Sequence, residues 1–410
     1  MRFRATAAAL TLLCLTACGG EPGTGGPPEL RMTVWTANAA HLKLFDEIGA
    51  AYVAAHPDRA SKITFDPLPF ERYVTTLTTQ LAGGKGPDLA WLPESAAPDF
   101  VAAGALVPLD DVLVEPDDLN PATLRLWQAD GQTFGYPFSN SPFGIFVNKD
   151  LLAAAGQPVP SAGWTWDQAI ASAAAVHAAT GRAGLVVRDF DYRIWDNLAT
   201  MWTGWGARAW SEDGRTCGFD QAPMVDFMTF LHRAIFTDAA LPGPGTTADF
   251  FAGQAAMTVS QISRASLLDG SFAWDLVPLP AGPAGTYSVI GQGGVGVLRR
   301  GAHADTAADF LAFFTDVENS VRLAAFFPPP RTSLLTAETL AKANPKLSPA
   351  QLQAVVIDGI ANGVVKPSHT GNAQLTQEVR ASLDPLWEPD ADVRAVLSGV
   401  CDTIDPLLAT

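Results

Sequence analysis

Residues 30–35 read LRMTVW, residues 63–68 read ITFDPL, and residues 88–92 read DLAWL. Each segment is short, rich in apolar residues and of the length of a β-strand. Residues 41–56 and 71–82 lie between them and carry apolar side chains at helical spacing. This alternation of strand and helix predicts an α/β fold, in which a mixed, mostly parallel sheet is covered by helices.

The predicted strands end in residues that suit a polar ligand. Ligands on sheets of this kind bind beyond the carboxyl ends of the strands. The first strand is followed by Trp35 and Asn38, and the third is followed by Glu94 and Ser95. We therefore expect these four side chains to face a binding cleft.

The rest of the chain predicts a second group of strands and helices. The predicted strands are residues 143–148, 256–259, 274–278 and 291–298. The predicted helices are residues 166–180, 192–202, 222–236 and 305–314, followed by a mainly helical tail at 349–408. At 410 residues the chain is too long for one typical domain and suits two lobes.

The N-terminus has the pattern of a bacterial lipoprotein signal. Two arginines precede the apolar run 5–15, and the tetrapeptide LTAC ends at Cys18. We expect residues 1–17 to be removed and Cys18 to be lipidated; the alternative is an ordinary secretory signal with a chance cysteine. Glycine and proline dominate residues 18–29, which we interpret as a tether. The apolar run is too short for a transmembrane helix.

The charge of the chain excludes one class of partner. The formal net charge is −16, and it becomes −18 if Arg2 and Arg4 are removed with the signal. Nucleic acids are bound through Lys and Arg, so we expect no nucleic acid partner. The acidic residues are scattered, as is typical of a solubilising surface.

Two cysteines, Cys217 and Cys401, remain beyond the signal region. In an oxidising compartment they form either one disulfide or two separate buried thiols. Without clustered histidines they do not make a zinc site, and we expect no metal.

Three tryptophans lie within nine positions, at Trp202, Trp205 and Trp210. Sugar rings stack on aromatic faces, and their hydroxyls need planar polar partners. We expect at least one tryptophan to line the cleft, with core packing as the alternative for each. The candidate polar partners, for which turn or surface roles are the alternative, are Asn38, Glu94, Ser95, Asn140, Gln261, Gln292, His369 and Asn372.

Arg331 follows three consecutive prolines, where we expect the chain to cross between the lobes. The prolines would stiffen this segment. The guanidinium either binds ligand hydroxyls or a carboxylate, or pairs across the hinge, and both interpretations stay open.

Signals for catalysis or nucleotide binding are weak. Residues 291–296 fit G-x-G-x-x-G, but the chain continues as a predicted strand instead of a helix, which argues against a dinucleotide site. Asp189, Asp191 and Asp196 are close enough in sequence to suggest glycosidase chemistry, with a solvated loop as the alternative. We expect a protein that is not an enzyme and has no cofactor.

Six short motifs occur in the order typical of one family. They are GPDL at 86–89, GYP at 135–137, FVNKDLL at 146–152, WTWD at 164–167, FAGQAAM at 251–257 and GGVG at 293–296. With them the chain resembles the family 1 extracellular solute-binding proteins of ABC importers, which are relatives of the maltose-binding protein. It departs from the family at Val295, where tryptophan is common, and at Ser263, where a sugar-stacking aromatic is common in relatives that bind maltose. These departures argue against a maltodextrin-like ligand.

The resemblance implies a two-lobed periplasmic-binding-protein fold, type II-like, with the ligand in a cleft between the lobes. We place lobe 1 at residues 30–138 and 296–328 and lobe 2 at 139–295 and 331–410, with hinge crossings near 138, 295 and 330. The implied function is capture of a sugar or oligosaccharide by lobe closure and delivery to an ABC permease.

The expected location is the outer face of the cytoplasmic membrane, where the lipid on Cys18 would hold a monomer. The alternatives are a lipid-anchored enzyme acting on glycans and a tethered sensor or interaction protein with a degenerate cleft.

Overall fold

The computed structural model describes residues 26–409 except Asp189, Asp191, Arg193 and Asn344. The predicted signal, the lipidation site Cys18 and the first part of the predicted tether lie outside the described residues, as do two of the three aspartates considered for glycosidase chemistry. Within the described part of the chain, no helix is long and apolar enough to cross a membrane.

The strands are short except for two. They are β1 (Glu29–Val34), β2 (Lys62–Pro67), β3 (Leu89–Pro93), β4 (Gln128–Ala129), β5 (Gln132–Thr133), β6 (Tyr136–Asn148), β7 (Ala183–Val187), β8 (Ala255–Gln261), β9 (Trp274–Val277), β10 (Ser288–Val297) and β11 (Gly363–Val365).

The α-helices range from single turns to five turns. They are α1 (Ala39–Ala55), α2 (Tyr73–Ala82), α3 (Ala97–Ala102), α4 (Pro121–Leu124), α5 (Lys149–Ala154), α6 (Trp166–Thr180), α7 (Ala199–Trp202), α8 (Ala222–Phe236), α9 (Ala304–Phe314), α10 (Val317–Leu323), α11 (Ala337–Ala343), α12 (Pro349–Gln351), α13 (Asp358–Asn362), α14 (Asn372–Leu383) and α15 (Val393–Leu408).

One mixed sheet runs through the molecule, and its strand order is β2-β1-β3-β10-β6-β8-β7. The pairs β1–β2 and β1–β3 at one end and β7–β8 at the other are parallel, as the alternation of strand and helix predicted. The central strands β10 and β6 pair antiparallel with each other and with their outer neighbours. The two long strands β6 and β10 therefore lie at the centre of the sheet and connect the parallel strands at one end to those at the other.

The first hydrophobic core is built by residues between 30 and 138 and between 295 and 323, and we call this part lobe 1. Helix α1 places Phe45, Ile48 and Tyr52 in this core, where the Phe45 ring meets Phe65 of β2 at 5.5 Å and all three side chains are fully buried. The helix begins after Asn38, whose side-chain oxygen accepts a hydrogen bond from the amide of Ala40 at 2.8 Å. This cap satisfies one of the free amides at the helix start.

The second core is built by residues between 143 and 289 and between 375 and 408, and we call this part lobe 2. Its helix α6 matches the predicted bounds because both ends have capping residues. A capping box of Thr165 and Gln168 marks the start, and Gly181 at φ 67° ends the helix. Cys217 and Cys401 form a disulfide, with Cα atoms 5.3 Å apart, so the disulfide alternative is confirmed. It fixes α15 to the loop before α8.

The helix predicted over residues 192–202 is wrong in part. The described chain forms a 3₁₀ turn over Trp195–Leu198 and then the short helix α7. The tighter 3₁₀ turn brings residues three apart onto one side. Trp195 and Leu198 are both buried there, so packing favours this geometry over a regular α-helix.

Candidate functional site between the lobes

The floor of the site is one face of the central strands β6 and β10. Gly291 and Gly293 are two positions apart in β10 and therefore point to the same face. A Cβ at Gly293 would lie 2.9 Å from the Trp35 ring, and a Cβ at Gly291 would overlap the Gln261 amide. Glycine is thus required so that Trp35 of lobe 1 and Gln261 of lobe 2 can both rest on this strand.

The lobe 1 wall of the site is an aromatic cluster. Trp35 is half-buried and meets Trp91, Tyr73 and Phe70 at ring-centroid distances of 4.8, 5.4 and 5.9 Å. Phe70 itself is 59% exposed. A half-exposed indole held rigidly by its neighbours offers the flat apolar surface on which a sugar ring can stack.

A buried ammonium lies between the lobes. Lys366 Nζ is 3.3 Å from Glu94 Oε1, which follows β3 of lobe 1, and 3.1 Å from Asp196 Oδ2 in lobe 2. It also donates to Asn197 Oδ1 at 3.2 Å. Burial by itself would lower the pKa of Lys366, but the carboxylates of Asp196 and Glu94 more than offset it and raise the pKa above its ordinary value. The lysine is therefore charged at neutral pH.

Two of the candidate polar residues belong to the interior. Gln292 donates from Nε2 to the Thr123 carbonyl and to Asn140 Oδ1, both at 2.8 Å, and accepts from the Trp127 indole at 2.9 Å. Asn140 is fully buried and donates to the Pro137 carbonyl at 2.8 Å. The expectation that these two residues contact the ligand is therefore wrong. Their side-chain amides already have partners inside the protein, on the face of β10 opposite Gly291 and Gly293.

Arg331 is likewise an interior residue and is fully buried. Its guanidinium donates to the carbonyls of Val114 and Thr315, both at 2.9 Å, and lies 3.7 Å from an Asp118 carboxylate oxygen. The interpretation as a ligand contact is therefore corrected. A cation so enclosed instead ties together three segments of the chain near lobe 1.

The tryptophan cluster divides between core and surface. Trp202 is 2% exposed and stacks on Trp195 at 6.0 Å within the lobe 2 core, so its predicted role in the cleft is wrong. Trp205 is half-buried and packs against α8, with its ring 4.8 Å from that of Phe230. Trp210 is half-buried and meets the His369 ring at 5.4 Å.

The remaining candidates are His369, Asn372, Ser95 and Asn38. His369 Nε2 lies 2.9 Å from the Gly214 carbonyl. Asn372 is the first residue of α14, and the amide of the preceding Gly371 donates to Asp99 Oδ1 of lobe 1 at 2.6 Å. Ser95 is half-buried beside Glu94. Asn38 is exposed, and its side-chain oxygen is occupied as the cap of α1.

The structure thus brings the candidates Trp35, Gln261 and Glu94 to strand β10, and Lys366, Asp196 and Phe70 become further candidates because they contact Glu94 or Trp35 directly or through Lys366. Sequence patterns gave no signal for Lys366, a single lysine between a short strand and a proline. Phe70 had a weak signal, because it follows the second strand at the same edge of the sheet as Trp35. Among the described residues, no group of three His, Cys, Asp or Glu side chains is arranged to hold a metal.

Comparison with known proteins places this geometry in a family. The profile of the family described as bacterial extracellular solute-binding protein matches residues 38–320. An arabinooligosaccharide-binding protein of Halalkalibacterium halodurans is 27% identical over 298 residues, which are 68% of this chain and 66% of that protein. The match thus covers slightly less than two thirds of that relative's length. An uncharacterized lipoprotein of Streptomyces antibioticus is 25% identical over 346 residues, covering 79% of this chain and 75% of that protein.

Solved structures agree at the level of the fold. The crystal structure of the cyclic alpha-maltosyl-1,6-maltose binding protein from Arthrobacter globiformis superposes with a TM-score of 0.81 at 18% identity, covering 94% of this chain and 100% of that one. The family profile, which matches more than half of the chain, leads to one conclusion. This chain belongs to the bacterial extracellular solute-binding protein family.

Proposed function

We propose that this protein captures a sugar or short oligosaccharide in the cleft between its lobes and delivers it to an ABC permease. In this proposal the lobes divide near residues 138, 295 and 330, and they close on the ligand as one hinged unit. The protein is a monomer held at the outer face of the cytoplasmic membrane by lipid on Cys18. It binds its ligand and does not transform it.

The observation that carries the proposal is the pairing of Trp35 and Gln261 across the glycine floor. An aromatic face on one side and an amide on the other are what a sugar ring needs, since its C–H face is apolar and its hydroxyls are polar. The two groups come from different lobes, so a ligand that contacts both favours the closed form by its differential affinity.

The similar proteins support the ligand class and the anchor. The Halalkalibacterium relative is named for arabinooligosaccharides, and the Arthrobacter protein binds a cyclic maltosyl sugar. The Streptomyces relative is named as a lipoprotein, which supports lipidation at Cys18.

The rival function is hydrolysis of a glycan, and it needs two carboxyl groups on either side of the bound sugar. Glu94 and Asp196 are the described carboxylates that approach each other at the site. The Lys366 ammonium pairs with Glu94 at 3.3 Å and with Asp196 at 3.1 Å, so these carboxylates face a cation of the protein itself. This arrangement favours capture.

The test is a thermal-shift screen of the oxidised chain from residue 26 onward, which contains the hydrophobic cores of the described residues. The panel contains arabino- and malto-oligosaccharides, monosaccharides, lactose, polyols and amino acids. A ligand at 100 times its Kd should add about 2.7 kcal/mol to the free energy of unfolding. We expect a saturable shift with one sugar class, recovered unchanged by chromatography. A shift only with amino acids would overturn the ligand class, and conversion of a sugar would identify an enzyme.

A further inference from the structure

Two segments that are distant in sequence are bonded to each other at two points across the cleft. Residues 94–99 follow β3 in lobe 1, and residues 366–371 precede α14 in lobe 2. Lys366 Nζ lies 3.3 Å from Glu94 Oε1, and the Gly371 amide donates to Asp99 Oδ1 at 2.6 Å. We call this pair of contacts the interlobe bridge.

The ion pair in the bridge is shielded from solvent. The side chains of Lys366, Glu94 and Asp196 are 14%, 13% and 24% exposed. Ion pairs at such sites are screened by salt much less than pairs at the surface. If one partner of a buried pair is removed, the other is left as an uncompensated charge, which is strongly unfavourable.

The groups around Lys366 at the boundary between the lobes are negatively charged, so its positive charge determines whether the lobes attract or repel each other there. The chain carries a net charge of −16, and at this point one carboxylate from each lobe approaches the boundary. Without a cation between them, Glu94 and Asp196 would repel each other as the lobes approach. Lys366 removes this repulsion and supplies an attraction that does not depend on a ligand.

We propose that Lys366 is a positioning residue that holds the two lobes together before the ligand arrives and thereby sets the affinity for it. The part concerning affinity rests on the proposed function, whereas the part concerning the lobes does not. If only a fraction of molecules is competent to bind, the apparent Kd rises as that fraction falls. Loss of the bridge should therefore weaken ligand binding even where Lys366 makes no contact with the ligand.

The experiment compares the wild type with Lys366→Met, Lys366→Arg and Lys342→Met. Small-angle X-ray scattering without ligand gives the radius of gyration, and calorimetry with the sugar found in the screen gives Kd. Lys342 is the matched control, because it pairs with Glu338 at 3.5 Å within one exposed helix and joins no lobes. We expect Lys366→Met to increase the radius and to raise Kd on the order of tenfold, within the 5–150-fold range of typical coupling. Lys366→Arg should restore both values, and Lys342→Met should change neither.

The outcomes separate the bridge from the ligand assignment. An unchanged radius in Lys366→Met would overturn the bridge, and a change in Kd alone would make Lys366 a direct ligand contact. If Lys366→Met has a larger radius of gyration than the wild type but the wild type binds no sugar, the bridge is supported and the proposed function is rejected. If Lys366→Met does not fold, Glu94→Gln breaks the same contact from lobe 1, and its ligand-free radius decides the question.

Discussion

At the residue scale, Arg331 is a residue for which the structure, and not the sequence, distinguishes a role in stability from a role in ligand binding. A lone arginine after a proline run is compatible with either, because the sequence does not say which atoms surround it. The structure encloses the guanidinium among the Val114 and Thr315 carbonyls, Ser320 Oγ and the Asp118 carboxylate. If the arginine were removed, each of these acceptors would lose one donor, although the Asp118 carboxylate would keep Ser333 and the Thr315 carbonyl would keep Ser320 Oγ.

We predict that Arg331→Met lowers the free energy of unfolding by about 3 kcal/mol, as is typical when one partner of a buried pair is removed. Urea denaturation measures the change. The control is Arg322→Met, because Arg322 pairs with Glu47 at 2.8 Å but both side chains are at least 35% exposed. Its loss should be under about 1 kcal/mol. Equal losses in the two variants would contradict the role assigned to Arg331.

At the element scale, strand β10 has different functions on its two faces. Gly291 and Gly293 lie beneath Gln261 and Trp35, whereas Gly294 lies against the fully buried Trp127. The first face forms the floor of the site, and the second is part of the lobe 1 core. The glycine-rich sequence is therefore explained by close approach of side chains and not by a phosphate loop.

Alanine substitution on each face should separate the two functions. Gly291→Ala should displace the end of the flexible Gln261 side chain, so we expect weaker ligand binding with little loss of stability. Gly294→Ala places a Cβ 2.5 Å from the Trp127 ring in the core, so we expect it to cost about 1–3 kcal/mol of stability. Calorimetry and urea denaturation of both variants measure these effects. The reverse pattern would show that the floor of the site lies on the other face.

The elements also show how far sequence reasoning reaches. Helix α6 was predicted with its observed bounds, because its capping residues and its glycine stop are local signals. The bridge was not predicted, because Gly371 and Asp99 are 272 positions apart and neither belongs to a motif. Asn140 and Gln292 were assigned to the ligand because polarity was visible in the sequence and burial was not.

At the scale of the whole molecule, every tyrosine is held in its neutral form. The chain has five tyrosines. Burial raises the pKa of each above its ordinary value, and hydrogen bonding to Asp309 adds to the effect for Tyr52. In the unfolded chain the same groups ionise near pH 10.

The pH dependence of stability follows from this difference. Below about pH 10 both states keep their tyrosine protons, so the contribution of the tyrosines to stability is fully present. Above that pH the unfolded state releases protons that the folded state retains, and stability falls. We predict that the tyrosinate absorbance at 295 nm rises together with the loss of circular dichroism. A tyrosine that ionises fully while the protein is still folded would contradict the prediction.

The most direct test of the account is calorimetric titration of the sugar found in the screen into two tryptophan variants. Trp35 is half-buried in the lobe 1 wall of the cleft, and Trp205 is half-buried against Phe230 of α8, so the pair is matched in chemistry and differs in location. A nucleic-acid base that stacks on an aromatic ring contributes about 1–3 kcal/mol, and we expect a loss of the same order when a sugar loses its stacking ring. We predict that Trp35→Ala weakens binding by at least tenfold and that Trp205→Ala leaves it unchanged. Weakening by Trp205→Ala alone would place the ligand outside the cleft described above and contradict the account.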